Sequence, residues 1–310
     1  MATHTLRAAA VAVGLLAIVG AADPPRPVFG AGVLRRDGVI IPFAAFDGKK
    51  WVATWPTPSR QDLTIPISVG SVPKRWWGPT KALETWQVWT RAGTRMATVV
   101  QPDWVDVQCV RQIGLRTDYQ AATPPPPPTE QPYPKDGLAV SPPQPVEPIR
   151  ILEPNGSEAR SLIPAVFEAF NRGEREVEER FGHPFPRRSR EGVEPEIEAV
   201  YAYGDAFRVY YVEATRRYRP LGSPECATLA FGTGWFTRIG NTVTKLEMAV
   251  DVLACTRSGA SYMLPLGAMR IDNRLFWIAQ FSGWNNERFA VIEIKPMTVE
   301  LLVGVWGGGC

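Results

Sequence analysis

Histidine is almost missing from this chain, with two in 310 residues. One, His4, lies in an expected leader, so any Ser-His-Asp or Cys-His mechanism in the mature protein must use His183. The GxSxG elbow, HExxH, the P-loop and the GxGxxG fingerprint are also absent. Their absence removes the readily recognised hydrolase, metalloprotease, nucleotide and Rossmann assignments. His183 stands in RFGHPFPRRSR, just past an expected helix end. A histidine there makes a favourable contact with the helix dipole, which explains it better than catalysis does.

Cysteine is scarce too, and none of the four forms a CxxC pair. With one histidine left after leader removal, a Cys/His zinc site lacks both spacing and ligands, so neither metal nor cofactor is expected. An even cysteine count in an oxidising compartment favours bridges. Cys226 and Cys255 bracket the strands CATLAFG and AVDVLAC and are expected to pair, which leaves Cys109 for Cys310.

No long apolar run occurs after residue 22. Before it, Ala8 to Ala22 is apolar, follows Arg7 and ends in small residues ahead of DPPRP. That layout is a signal peptide over residues 1–22, too short to span a bilayer. The expected product is secreted or periplasmic, with no stable membrane insertion after signal cleavage. A net charge of +3 and a pI near 8.7 are too mild to specify a nucleic-acid surface. The arginine groups at 187, 188, 190 and at 216, 217, 219 read as solvated faces, and no nucleic-acid partner is expected.

Proline and tryptophan, in contrast, are plentiful. Residues 120 to 150 hold 11 of the 30 prolines, including the run 124–128. The expected organisation is therefore an N-terminal β lobe over 23–119, a proline-rich linker or strap over 120–156, and a helix plus β-meander lobe over 157–310. Apolar residues Ile163, Val166, Phe167, Phe170, Val177 and Phe181 recur at helical spacing, with Pro164 suited to the first turn and Gly182 to the stop. From residue 196 onward, strands follow one another too closely for crossover helices, so neighbours should pair antiparallel.

The phrase GVLRRDGVIIPFAAFDG, residues 32–48, returns without a gap as GAMRIDNRLFWIAQFSG, residues 267–283. Each copy predicts a hairpin turning at Asp37-Gly38 or Asp272-Asn273. Recurring hairpins suggest a mainly β, antiparallel, propeller-like meander, with a β-sandwich or barrel pair as the alternative and one amphipathic helix in either case.

Two classes of function remain open. A carboxylate-based, glycosidase-like hydrolase in a β-rich cleft needs two acidic groups at a fixed separation. Its candidates are Glu84, Asp103, Asp106 and above all Glu213, which interrupts the apolar strand FRVYYVEAT. Asp103 and Asp106 alone are too few for calcium. The other class is an exported binding or interaction protein meeting a glycan or an envelope component. Its candidates are the turn-associated Trp76 and Trp77 in VPKRWWGPT and Trp284 in FSGWNNER, since indole faces stack on sugar rings and apolar ligands. The binding reading is preferred because it requires no catalytic constellation.

Overall fold

The computed structural model describes residues 26–55, 68–90, 92–107, 110–121, 135–220, 224–284 and 286–309. The expected leader over residues 1–22, the proline run 124–128, Cys109 and Cys310 lie outside the described residues.

The first strands are β1 (Phe29–Arg35), β2 (Val39–Phe46), β3 (Trp51–Ala53), β4 (Thr85–Thr90), β5 (Gly93–Val107), β6 (Val110–Thr117) and β7 (Lys135–Ser141). They bond in the order β1-β7-β4-β5-β6-β2, and β2 returns to β1, which closes a six-stranded barrel with β3 appended to β2. The barrel alternative is thus what the strands build, and no ring of blades forms among the described residues. Every residue of VIIPFAAF in β2 is buried because both faces of the strand are covered. Ile40 points into the barrel with Leu34, Trp86, Val88 and Leu115. Ile41 and Phe43 point outward into a second core. A continuous apolar run is what such a doubly buried strand requires.

Residues 135–141, expected within a linker or strap, instead form a wall of the barrel. Leu138 and Val140 join the outer core and Ala139 the inner one. So short a strand, placed after prolines and holding three consecutive apolar residues, shows no alternation to read.

The chain continues with β8 (Arg150–Leu152), a short helix α1 (Ser157–Arg160), the long helix α2 (Ile163–Phe181), a further turn of helix α3 (Arg187–Arg190), then β9 (Glu196–Tyr203), β10 (Phe207–Tyr218), β11 (Thr228–Ile239) and β12 (Thr242–Ala254). These strands make a five-stranded antiparallel sheet ordered β12-β11-β10-β9-β8. The last four, β13 (Ser261–Ile271), β14 (Arg274–Gly283), β15 (Asn286–Ile294) and β16 (Val299–Gly309), make a plain meander. Helix α2 has the bounds its periodicity predicts, with proline in the first turn and Gly182 at φ 76° as its cap. No helix among the described residues is long and apolar enough to cross a membrane.

Four layers result. Alternation in β10 sends Tyr210, Val212 and Ala214 towards α2 with Val166 and Phe170. It sends Val209 and Tyr211 the other way, onto Trp277, Ala279 and Ile292 of the four-stranded sheet. The opposite face of that sheet, with Phe276, Ile278 and Phe289, packs on Phe29, Phe43 and Phe46 of the barrel. Each large side chain so buried contributes about 1.5–3 kcal/mol. The two copies of the repeated phrase are the hairpins β1–β2 and β13–β14, and they meet face to face in this last core, where Phe46 and Phe276 lie 6.3 Å apart. The second turn is the two-residue kind, with Asp272 and Asn273 at φ 50° and 62°. In the first, the backbone turns over Arg36–Gly38, with Gly38 at φ 79°.

Candidate functional site

Glu213 belongs to the β10 residues that face the four-stranded sheet, and it is 3% exposed. Its Oε1 accepts a 2.7 Å hydrogen bond from the Met263 backbone N–H of β13. Burial pushes its carboxyl up to about 8, aided by the charge of Glu198 and opposed by the Met263 N–H and by Arg257. Glu213 therefore holds its proton at neutral pH. Tyr211, two residues away on the same face, is raised as well, by burial and then by the neighbouring Glu213.

A bulge places the partner carboxylate. Glu213 lies opposite Ala199 and Ala214 opposite Ile197, so Glu198 is an extra residue in β9. Bulges re-aim side chains, and this one directs Glu198 to Thr215 and Arg217, with hydrogen bonds of 2.9 Å from each. Arg257 adds two more, at 2.7 and 2.6 Å. Burial raises the Glu198 carboxyl, but the hydrogen bonds from Arg257 and Thr215 and the charges of Arg257 and Arg217 outweigh it and leave it below the ordinary value. Arg257 also donates to the Tyr262 hydroxyl at 2.9 Å. It is held at φ 60°, unfavourable for a non-glycine residue. The turn that holds it follows the Cys226–Cys255 disulfide, whose Cα atoms lie 6.0 Å apart, as the cysteine spacing predicts.

The result is one protonated and one ionised carboxyl, the contrast that acid–base hydrolysis uses. Glu198, however, is already engaged by two arginines and a threonine, which weakens it as a base. Glu213 is covered.

The tryptophans separate. Trp77 is 4% exposed and belongs to the core inside the barrel. Its ring and that of Trp76 lie 5.1 and 5.5 Å from Trp55, whose indole N–H donates to the Ile113 carbonyl at 2.7 Å. The expectation of an exposed WW pair thus fails at Trp77, because a wide barrel end needs a large ring to fill it, while Trp76 stays half-buried. Trp284 is 71% exposed, in the turn between β14 and β15. It does not join the other two. It lies instead at the end of the sheet where Gly283 pairs with Ser261 and Phe281 with Met263. By strand rise, that is about 10 Å from the level of Met263, the residue that holds Glu213.

Asp103 is spoken for by Arg116, at 2.5 and 2.6 Å. Glu84 and Asp106 are exposed. No metal-holding cluster occurs among the described residues. His183 is tucked beneath the end of α2, its Nε2 3.3 Å from Glu174 Oε1. Glu174 also takes Arg216 at 2.5 Å and the Tyr218 hydroxyl. The contact His183 makes with the five-stranded sheet is its ring, edge-on to Tyr218 of β10 at 5.3 Å between ring centres.

Sequence reasoning passed over Glu198, Arg257 and Glu174. The bulge at Glu198 has no signature in EIEAV, and Glu174 looks like one more charge on a charged helix face. Arg257 could have been found from its position in a tight turn beside a bridged cysteine. No protein-family model, curated relative or solved structure matches the chain.

Proposed function

We propose that the chain is an exported binding protein that takes a glycan or an envelope component at the β14–β15 end of the four-stranded sheet, with Trp284 as its stacking platform. The observation that carries this reading is the exposure of the Trp284 ring at 71% on a turn anchored by two long strands. Tyr262, paired with Ser282, lies at the same end, its hydroxyl accepting from Arg257. The Cys226–Cys255 disulfide supports an oxidising compartment. Trp284→Ala should lose about 1–3 kcal/mol of binding, by analogy with base-stacking platforms. Glycan-array and envelope-fraction binding read the loss, and an unchanged profile rejects the platform.

The charge states favour a second reading, a hydrolase with Glu213 as its acid. Glu213→Gln would then abolish turnover of an aryl glycoside while the fold survives. Wild-type protein that turns over no glycoside rejects it.

A further inference from the structure

A cleft of about 800 Å³ lies between α2 and β12, the outermost strand of the five-stranded sheet. On the strand side, all of residues 248–254 line it. Residues from both faces of β12 therefore meet the cleft, which follows the backbone edge of the strand and not one of its faces. That edge has no strand beside it among the described residues, since β12 pairs with β11 alone. On the helix side stand Gly173, Val177 and Phe181, spaced about a turn apart. The apolar stripe of α2 is fully buried at Val166 and Phe170, but further along Val177 is half-buried and the Phe181 ring is 83% exposed. The last turns of the stripe thus have no strand to cover them.

Alternate N–H and C=O groups along an open strand edge lack partners, and an extended chain laid beside the edge satisfies them. Such a chain would carry the sheet out beneath Val177 and Phe181. Its side chains would point the same way as those of the β12 residues they face. Val250 and Val252 point towards α2, into the core with Phe170, so residues opposite them meet the uncovered end of the stripe and are apolar. Asp251, between them, points to the other face. It is exposed and makes no ion pair or hydrogen bond among the described residues, so a basic residue opposite it is favoured. A second copy of the chain fits poorly. Paired antiparallel over 248–254, it would set Asp251 against Asp251, and a slipped register would set Asp251 against Glu247. We propose that β12 takes an extended segment of another protein as an added antiparallel strand, the segment carrying lysine or arginine between two apolar residues. The proposal goes beyond the Trp284 surface and does not rest on it.

Fluorescence anisotropy of labelled, end-capped heptapeptides titrated with the full chain tests it. The parent probe is Ser-Thr-Val-Lys-Val-Thr-Ser, whose central lysine falls opposite Asp251 when the peptide pairs over 248–254. It should bind about fivefold more tightly than the same peptide with glutamate in place of lysine, because an attractive cross-strand pair becomes a repulsive one. Asp251→Lys should reverse that order, and Phe181→Ala should weaken the parent about fivefold. Both side chains are exposed, so neither variant should shift the unfolding midpoint. Two further peptides carry backbone N-methyl groups, one at the second, fourth and sixth positions and the other at the third and fifth. One should bind like the parent and the other should lose about tenfold or more, since only alternate N–H groups face β12. Equal binding of the two methylated peptides overturns the proposal. So does a preference for lysine that survives Asp251→Lys, or no binding of the parent at near-millimolar protein. A dimer in sedimentation that the parent peptide dissolves would assign the edge to a second copy and overturn it as well.

Discussion

At the scale of single residues, Glu213 makes the protein sensitive to pH. Its carboxyl is raised from the ordinary 4.5 to about 8 in the folded protein, mainly through burial. Between those values the folded state binds a proton that the unfolded state has released, so stability falls as pH rises. The contribution is fully present below about 4.5 and is lost through about 8. The span of the shift corresponds to on the order of 5 kcal/mol. Glu213→Gln, which keeps the shape and cannot ionise, should flatten that decline, as urea unfolding at pH 5 and pH 8.5 would show. An equally steep decline in the variant would place the sensitive group elsewhere. Trp77 and Trp284 form a natural pair of controls. Trp77→Ala empties a barrel end and should cost about 3–5 kcal/mol of stability, whereas Trp284→Ala should cost less than about 1 kcal/mol. The sequence distinguishes these two rings poorly, because both sit beside a glycine and polar neighbours. Only the barrel that surrounds Trp77 tells them apart. Glu213 could be singled out because a lone carboxylate in an apolar strand breaks alternation visibly, while its neighbour Glu198 depends on a bulge that leaves no mark in the composition.

At the scale of elements, α2 shows how a residue with poor helix propensity can be the right one. Gly173 lies in its interior, where alanine ordinarily gains about 1 kcal/mol. Here an added Cβ would lie 2.7 Å from the Val250 side chain of β12. The helix approaches its sheet through that glycine, and Gly232 of β11 likewise leaves space for Phe170, whose ring a Cβ would meet at 2.6 Å. Gly173→Ala should therefore destabilise by about 1–3 kcal/mol, the range for overpacking, in thermal or urea unfolding. A stabilised variant would show that helix and strand can move apart at no cost. The helix itself was legible because its apolar stripe and proline and glycine boundaries agree, and the strands after residue 196 because their spacing admits only antiparallel returns. Strand β7 was not, since its pairing with β1 and β4 is decided by the barrel and not by its own three apolar residues.

At the scale of the whole molecule, the four-stranded sheet is covered on both faces, by the barrel on one and by the five-stranded sheet on the other. Neither neighbour can detach without exposing aromatic core such as Phe276 or Trp277. Tryptophan fluorescence, which reports on the barrel and the inter-sheet core, and far-UV circular dichroism, which reports on all strands and α2, should give coincident urea transitions. Separate midpoints would mean that the layers unfold independently.

The closure of the barrel has a consequence in time. Strand β1 bonds to β2, its neighbour in the chain, but also to β7, where Gly30 faces Ser141 across a separation of 111 residues, 141 minus 30. That seam cannot form until nearly half the polypeptide has emerged, and bringing the two ends together costs entropy before any contact repays it. Through all that interval the outer edge of the first hairpin stays open, with an apolar strand on display. A chain of this design completes its barrel on the slow side of the folding range, in milliseconds to seconds and not in microseconds. The delay leaves the first hairpin a longer interval in which its open edge can meet another chain.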